Sequence, residues 1–325
     1  RMVGHVGSLV SFQEGHDLLR ELAGVQVPAK QVERSSEALG REIAGDEKTV
    51  IEAPPSEEVL APTLYLGMDG TGIPMRKDEL QGRAGKQEDG SSKTREVKLV
   101  TVWSAEGRDE EGVPVRDEGS VSYSAAIESA ARRDIDEAPS EFAKRVLREA
   151  TRRGFETAAR HAVLGDGAPW IWNIATEHFP DALQIVDRYH ANEHLSGAAK
   201  AIYGSTSDLG KHWAHERCSE LKRGDIDAVL ASLAIHASCD EARKCHDYIQ
   251  TNRSRMRYGE FHAAGLCTST GVVESGCKRA IGVRLKRGGM FWTLSGADAI
   301  IALRCCRLSG RFEDFWERRA SKVAA

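Results

Sequence analysis

The sequence lacks the features that mark membrane and secreted proteins. No apolar run is long enough to span a bilayer, and no basic and then apolar leader is present. The seven cysteines are odd in number and include no CxxC pair, which argues against a disulfide framework and against a closed zinc site. These absences favour a cytoplasmic protein with no membrane partner.

The N-terminal part of the chain predicts two helices within residues 11–44. Ser11 could cap the first helix, Gly24 could end it, and Pro28 suits the first turn of the second. A helix-turn-helix has this pattern, but so do many helical hairpins. Because the chain begins with Arg1 and not methionine, we expect an upstream piece to be missing.

Short apolar or alternating runs then predict strands. Three consecutive runs, separated by charged, glycine-rich loops, are typical of an antiparallel meander: 64–70, 96–104 and 120–128. Helix and strand patterns then alternate, at 142–155, 161–167, from Pro169, and at 183–190. This order predicts an α/β fold with a ribonuclease H-like mixed sheet and flanking helices.

The remaining segments complete a predicted division into units. The polar segment 195–265 has no strand signals and is predicted to be an all-helical insertion. The predicted units are a helical segment at 1–51, a proline-containing linker at 52–63, the first part of the catalytic domain at 64–194, the insertion at 195–265 and the final helices at 266–325.

Three acidic residues stand in settings that suit metal-dependent phosphoryl transfer. Asp69 and Asp166 each follow a short apolar run and precede a glycine, so each is expected at a strand end. Glu274 lies in a predicted helix whose apolar stripe is Val273, Cys277, Ile281 and Leu285. Carboxylate oxygens suit Mg²⁺, with Mn²⁺ as a substitute, and two such ions can stabilise both the attacking and the leaving oxygen. The predicted catalytic and metal-binding residues are therefore Asp69, Asp166 and Glu274.

The charge distribution is uneven. A net charge of −4 and a pI near 6.3 do not suggest a DNA-binding protein. Eight bases and one acid, Asp298, nevertheless fall between residues 278 and 311: Lys278, Arg279, Arg284, Lys286, Arg287, Arg304, Arg307 and Arg311. An isolated run of this kind is usually a solvated helix face, but this one starts four residues after Glu274 and favours DNA contact.

Individual residues near these motifs leave alternatives open. Lys278 could meet a phosphate or merely pair with Glu274. Trp292 is flanked by glycines and bases and could stack on a base or pack in the core. The predicted DNA-binding residues are Lys278, Arg279, Arg284, Lys286, Arg287, Trp292 and, in the long loop 76–93, Lys93.

Several longer strings resemble one family. These strings are DGTGIPM, KTREVKL, LGDGAPWIWN, IVDRYHANEHL, GLCTSTGVVESGCK, LKRGGMFW and ADAIIALRCCR. From its first residues to Phe315 the chain resembles bacterial insertion-sequence transposases of the ISKra type, within the DDE superfamily. The resemblance implies that Asp69, Asp166 and Glu274 form the catalytic triad. It also implies that Asp187 and His190 support the site as the D-x-x-H signature of members with a helical insertion.

The same resemblance implies DNA cleavage and strand transfer with element ends and target DNA as partners, carried out by a homodimer or a larger synaptic assembly. Family members carry a longer N-terminal region, so this chain would be truncated. Two other functions stay open. One is a truncated or domesticated transposase that binds DNA without transposing. The other is an ATPase or kinase of ribonuclease H-like fold, suggested by the DGTG string; a haloacid dehalogenase phosphatase would need an aspartate where Gly67 stands.

Overall fold

The protein is described by a computed structural model that covers residues 1–51, 62–82, 85, 87, 90, 92–131 and 138–324. The strands are β1 (Thr63–Pro74), β2 (Thr94–Ser104), β3 (Gly107–Arg108), β4 (Pro114–Val115), β5 (Ser122–Ala126), β6 (Arg160–Gly165) and β7 (Leu183–Val186). The first helices are α1 (Met2–Leu9), α2 (Phe12–Ala23), α3 (Ala29–Thr49), α4 (Glu141–Arg152) and α5 (Pro169–His178).

The later helices form two groups. The first group is α6 (Arg188–Tyr203), α7 (Asp208–Arg223), α8 (Ile226–Ala234), α9 (Asp240–Thr251) and α10 (Tyr258–Ala263). The second is α11 (Gly271–Gly276), α12 (Val283–Leu285), α13 (Leu294–Leu308) and α14 (Phe312–Ala324). No helix in the described part of the chain combines the length and apolar character needed to cross a membrane.

Five strands form one mixed sheet in the order β5-β2-β1-β6-β7. Strand β2 is antiparallel to β1 and β5, whereas β6 is parallel to both β1 and β7. This is the strand order of a ribonuclease H-like sheet, as the sequence predicted. Strand β2 is valine-rich, and its residues from Val97 to Ser104 are buried, as expected for a central strand that is covered on both faces.

Hydrogen bonds to α13 and to its C-cap residue cover one edge of this sheet. The backbone N–H of Tyr123 donates to Ser309 Oγ at 2.8 Å, and the N–H of Ile127 donates to the Asp298 carboxylate at 2.8 Å. Donors on an exposed edge strand would otherwise be free to pair with another chain. Asp298, the one acidic residue within the basic segment 278–311, therefore accepts a hydrogen bond from a backbone donor at the edge of the sheet.

The N-terminal helices pack against α13. Helix α2 starts with the predicted cap, because Ser11 Oγ accepts from Glu14 N and the Glu14 carboxylate accepts from Ser11 N. In α3, a Cβ on Gly40 would lie 2.0 Å from the Ala299 carbonyl oxygen, so the two helices touch at backbone distance. One face of α3 is therefore buried in the protein.

One predicted strand ends earlier in the structure than the sequence indicated, and two predicted loop segments lie partly outside the described residues. The strand predicted at 183–190 ends at Val186, because the side chain of Asp187 accepts a hydrogen bond from Tyr189 N and starts α6. Most of the predicted linker, residues 52–61, lies outside the described residues, as do parts of the loop 76–93.

The stretch from Gly271 to Leu285 is one helical run with a π-helical segment at its centre. That segment, Cys277–Gly282, lies between α11 and α12. The predicted apolar stripe is confirmed: Val273, Cys277, Ile281 and Leu285 are all buried. A π segment changes the hydrogen-bond pattern of a helix and is frequent at functional sites. Here Arg304 donates to the carbonyls of Ala280 and Arg279 and so supports the segment from α13.

Candidate active site

Asp69 lies inside a strand, contrary to the prediction that it would emerge at a strand end. Strand β1 continues to Pro74 because β2 pairs with it throughout, from Leu64 opposite Ser104 to Pro74 opposite Thr94. The parallel neighbour β6 is shorter, and its last pair with β1 is Gly67 opposite Leu164. Asp69 therefore lies just beyond the point at which its parallel partner ends. The prediction was correct for Asp166, which directly follows β6.

The strand register aligns three aspartates. Continuing the β1–β6 register by two residues brings Asp69 opposite Asp166. In the β6–β7 ladder Gly165 pairs with Val186, so the next positions are Asp166 and Asp187. Side chains alternate between the faces of a sheet, and paired positions of parallel neighbours share a face. The three carboxyl-bearing residues therefore stand next to one another where β6 and β7 end, beside the face of β1 that carries Asp69.

Helix α11 packs on that same side and carries Glu274. A Cβ on Gly67, two residues before Asp69, would meet Val273 at 2.2 Å, so the helix touches this face directly. The thiol of Cys277 donates to Asp69 Oδ2 at 3.4 Å. Glu274 is exposed and lies three residues before Cys277, about one turn along the same helix.

The electrostatics of the site fit a group of carboxylates that face one another. Burial raises the pKa of Asp69, and the negative charges of Asp166 and Glu96 raise it further, against hydrogen bonds from Gly70 N–H and Cys277. Partial burial raises the pKa of Glu274, followed by the charges of Asp187 and Asp69. Carboxylates that disfavour each other's ionisation bind protons or cations readily.

The side-chain positions do not form a closed metal site. Among the described residues, no group of three His, Cys, Asp or Glu side chains is placed to hold one ion. Asp69 Oδ1 accepts from Gly70 N at 2.6 Å, and Asp166 Oδ1 accepts from Ala168 N at 2.9 Å. The type of donor and the strand register fit a hard divalent cation, but the side chains would have to turn towards one another to bind it.

Asp187 is buried and connects two elements of the site. Its exposed fraction is 1%. One oxygen accepts from Tyr189 N at 2.7 Å, and the other accepts from both the N–H, at 3.1 Å, and the hydroxyl of Thr270. Thr270 is the residue that precedes α11, so Asp187 fixes the start of the helix that bears Glu274. His190 lies one turn into α6, with Nδ1 3.5 Å from the Glu193 carboxylate.

Two of the predicted DNA-binding residues lie in the interior. The Arg284 side chain is fully buried between the rings of Phe12 and Trp292, and its Nε donates to the carbonyl of Gly7. Trp292 is 6% exposed, and its indole N–H donates to the Leu285 carbonyl at 3.0 Å. Both side chains pack against Phe12 of α2 and are therefore not accessible to a ligand.

The other predicted bases are exposed or partly exposed but do not all lie together. Lys278 and Arg279 project outward just after Glu274. Lys286 donates to Thr71 Oγ1, two residues along β1 from Asp69, whereas Arg287 forms an ion pair with Glu14. Lys93 precedes Thr94, which pairs with Pro74, so Lys93 lies at the far end of the β1–β2 hairpin, about 17 Å along the strand from Asp69.

The sequence analysis missed two residues, of which Tyr248 contacts this site and Phe291 lies beside the far end of β1. Tyr248 on α9 donates its hydroxyl hydrogen to the carbonyl of Asp166 at 2.7 Å. Phe291, next to the buried Trp292, is 64% exposed. No local sequence pattern identifies Tyr248, because it lies 82 positions from Asp166 in the sequence. The pair Phe291–Trp292 offered a weak signal, since adjacent residues on an extended segment point in opposite directions.

Comparisons with known proteins add little at this level of similarity. No protein-family model and no curated protein matches the sequence. Among solved structures, the Drosophila P element transposase strand transfer complex aligns with 95% of this chain and 85% of its own, at 9% identity and a TM-score of 0.26. A similarity this low indicates neither the fold nor the function of this chain.

Proposed function

We propose that this protein is a metal-dependent DNA-cleaving and strand-transferring enzyme of the DDE transposase type, with Asp69, Asp166 and Glu274 as its catalytic residues. One observation supports this most directly: the parallel register of β1 and β6 ends at Gly67 opposite Leu164, two residues before Asp69 and Asp166, and the helix of Glu274 packs on Gly67. Three carboxylates on adjacent elements of a ribonuclease H-like sheet suit phosphodiester chemistry. Membership of the ISKra type rests on the sequence motifs alone.

The cofactor in this proposal is Mg²⁺ or Mn²⁺, bound by the carboxylates of Asp69, Asp166 and Glu274. Bound cations would activate an oxygen nucleophile and stabilise the leaving 3′ oxygen. The fold would position these ligands. Asp69 lies in β1, Asp166 directly follows the neighbouring parallel strand β6, and Asp187 fixes the start of the helix that bears Glu274 by accepting from Thr270 N. Burial is the largest cause of the raised pKa values of Asp69 and Glu274, and a cation would relieve the repulsion from neighbouring carboxylates that raises both pKa values further.

The proposed DNA path follows the exposed bases that lie closest to these carboxylates. Lys278 and Arg279 are exposed on the helical run that carries Glu274. Lys286 donates a hydrogen bond to Thr71, which lies about 7 Å along β1 from Asp69. Phe291 takes the stacking role predicted for Trp292, because its ring is the exposed one. Binding of this kind depends on phosphate contacts and therefore weakens with salt.

The ATPase or kinase alternative is disfavoured by the DGTG segment itself. Gly70, Thr71 and Gly72 are paired with Lys98, Val97 and Glu96 of β2, so the segment is an extended strand. A phosphate-binding turn needs several backbone N–H groups pointing at one ligand, and a paired strand does not offer them. A DNA-binding protein without activity remains the second candidate, since the exposed bases would serve either function.

Nicking of supercoiled plasmid by the wild-type chain with Mg²⁺ or Mn²⁺ tests the proposal. The Asp166→Asn variant should keep its fold and lose nicking, while Asp181→Asn, which changes an exposed carboxylate before β7, should retain it. Metal-dependent nicking lost in Asp166→Asn alone supports the nuclease site. Full activity in Asp166→Asn would remove this residue from the triad. Salt-sensitive DNA binding without nicking would leave the inactive DNA-binding protein as the function.

A further inference from the structure

The side chain of Tyr248 extends from the helical insertion to the loop that carries Asp166. Its hydroxyl donates to the Asp166 carbonyl oxygen at 2.7 Å. Its ring lies against the next residue, Gly167, where an added Cβ would be 2.5 Å from the ring carbon Cε2. Gly167 also has a φ of +103°, a conformation that side-chain-bearing residues rarely adopt. The loop after β6 is therefore shaped to accept this ring.

Tyr248 is itself held by a second helix of the insertion. Its ring stacks on His194 at a centroid distance of 4.0 Å and an interplanar angle of 22°. His194 lies on α6, and its ring also meets His190 edge-on at 5.0 Å. Because α6 starts at Asp187, the helix that supports Tyr248 is also the one connected to the start of α11. Aromatic pairs of this kind contribute stability and fix ring orientation.

The contact of Tyr248 constrains the direction in which Asp166 can point. The hydroxyl fixes the carbonyl of Asp166, and Asp166 Oδ1 is occupied by the N–H of Ala168 at 2.9 Å. The hydroxyl therefore fixes the backbone from which the Asp166 carboxylate has to reach a cation. If Tyr248 lost its hydroxyl, the peptide between Asp166 and Gly167 would be held by one hydrogen bond fewer, and the carboxylate would sample more orientations.

We propose that Tyr248 is a positioning residue for Asp166, and that the helical insertion orients a metal-binding carboxylate through it. This inference rests on the proposed function in one respect, namely that Asp166 binds a cation. Residues that orient metal ligands from outside commonly change metal affinity by about 10–100-fold when they are altered.

The chain offers a matched control in the same insertion. The hydroxyl of Tyr203 lies 3.2 Å from His236 Nε2, and the two rings meet edge-on at 5.6 Å. Tyr203→Phe thus removes a tyrosine hydroxyl that contacts a histidine within the insertion. A merely structural role of Tyr248 would make Tyr248→Phe and Tyr203→Phe behave alike.

The test measures Mn²⁺ binding to the full chain by isothermal titration calorimetry and, separately, the Mn²⁺ concentration for half-maximal plasmid nicking. Tyr248→Phe should weaken Mn²⁺ binding on the order of tenfold and raise the metal requirement of nicking by a similar factor. Tyr203→Phe should leave both unchanged. Gly167→Ala is a second variant, expected to weaken Mn²⁺ binding more strongly because the added methyl group displaces the ring.

The outcomes separate the positioning role of Tyr248 from the nuclease proposal. Equal Mn²⁺ affinity in Tyr248→Phe, Tyr203→Phe and the wild type would overturn the positioning role of Tyr248 and leave the nuclease proposal intact. Weakened Mn²⁺ binding in Tyr248→Phe, with no nicking by the wild type, would support the positioning role and count against the nuclease. Absence of Mn²⁺ binding by the wild type would overturn both.

Discussion

Replacing Asp187 by asparagine should destabilise the protein and disturb Glu274 without removing a metal ligand. Asp187 is 1% exposed, and its two oxygens accept from Tyr189 N, Thr270 N and the Thr270 hydroxyl. Asparagine keeps the volume but replaces one oxygen by an NH₂ group. At least one buried N–H then faces a donor in place of an acceptor.

The size of this effect follows from hydrogen-bond energetics. A buried donor without a partner costs about 1–3 kcal/mol, and hydrogen bonds to charged acceptors contribute more than neutral ones. We expect Asp187→Asn to lower the free energy of unfolding by about 2 kcal/mol, which corresponds to a fall in Tm of about 3 °C for a chain of 325 residues. Thr270→Val, which removes the hydroxyl alone, should cost less.

Calorimetry on the wild type, both single variants and the double variant measures the coupling between Asp187 and Thr270. Because the two residues share hydrogen bonds, Thr270→Val should cost little in the Asp187→Asn background. Plasmid nicking well below the melting temperature should fall in Asp187→Asn as Glu274 loses its fixed orientation. An unchanged Tm in Asp187→Asn, or fully additive costs in the double variant, would refute the reasoning. Lost Mn²⁺ binding at unchanged Tm would instead make Asp187 a ligand.

Three further predictions concern charge and exposure. The folded state raises the pKa of Asp69 above its ordinary value of 3.8, so stability falls as pH rises through the interval between the two values. Metal-free Asp69→Asn should therefore melt higher than the wild type at pH 8, and the difference should vanish near pH 3; an equal Tm at pH 8 would contradict this. Lys286→Gln should reduce the salt dependence of DNA binding by about one phosphate contact, whereas Arg284→Met should lower Tm and leave the salt slope unchanged, because only Lys286 is exposed. Phe291→Leu should weaken binding to single-stranded DNA on the order of tenfold and Phe291→Trp should preserve it, since stacking contributes about 1–3 kcal/mol per base; equal affinities would rule out a stacked ring.

Much of the fold was predictable because local signals agreed with it. The apolar runs, the alternation of helix and strand, and the cap at Ser11 depend on residues close in sequence, and the observed strand order matches the predicted one. The stripe from Val273 to Leu285 predicted a buried helix face, and that face is buried. The early end of β7 was missed because the run from Leu183 to His190 has the composition of a strand, whereas Asp187 caps α6 by accepting from Tyr189 N.

Exposure could not be predicted from composition in the basic segment. Arg284 and Trp292 follow the same pattern of bases, glycines and aromatics as their neighbours, yet both are buried because α1 and α2 pack over them. Lys286 and Phe291, which stand beside these two residues in the sequence, are exposed.

The sequence by itself indicated the order of helices and strands along the chain, the helical character of residues 195–265 and the three candidate carboxylates, since each of these follows from short-range patterns. Only the tertiary structure decided which carboxylates share a face, because that depends on the register between β1 and β6, whose residues are 97 positions apart. It also decided that Tyr248 contacts Asp166 and that Asp187 holds the start of α11. Contacts of this kind form only when distant segments pack together, and no local pattern encodes them.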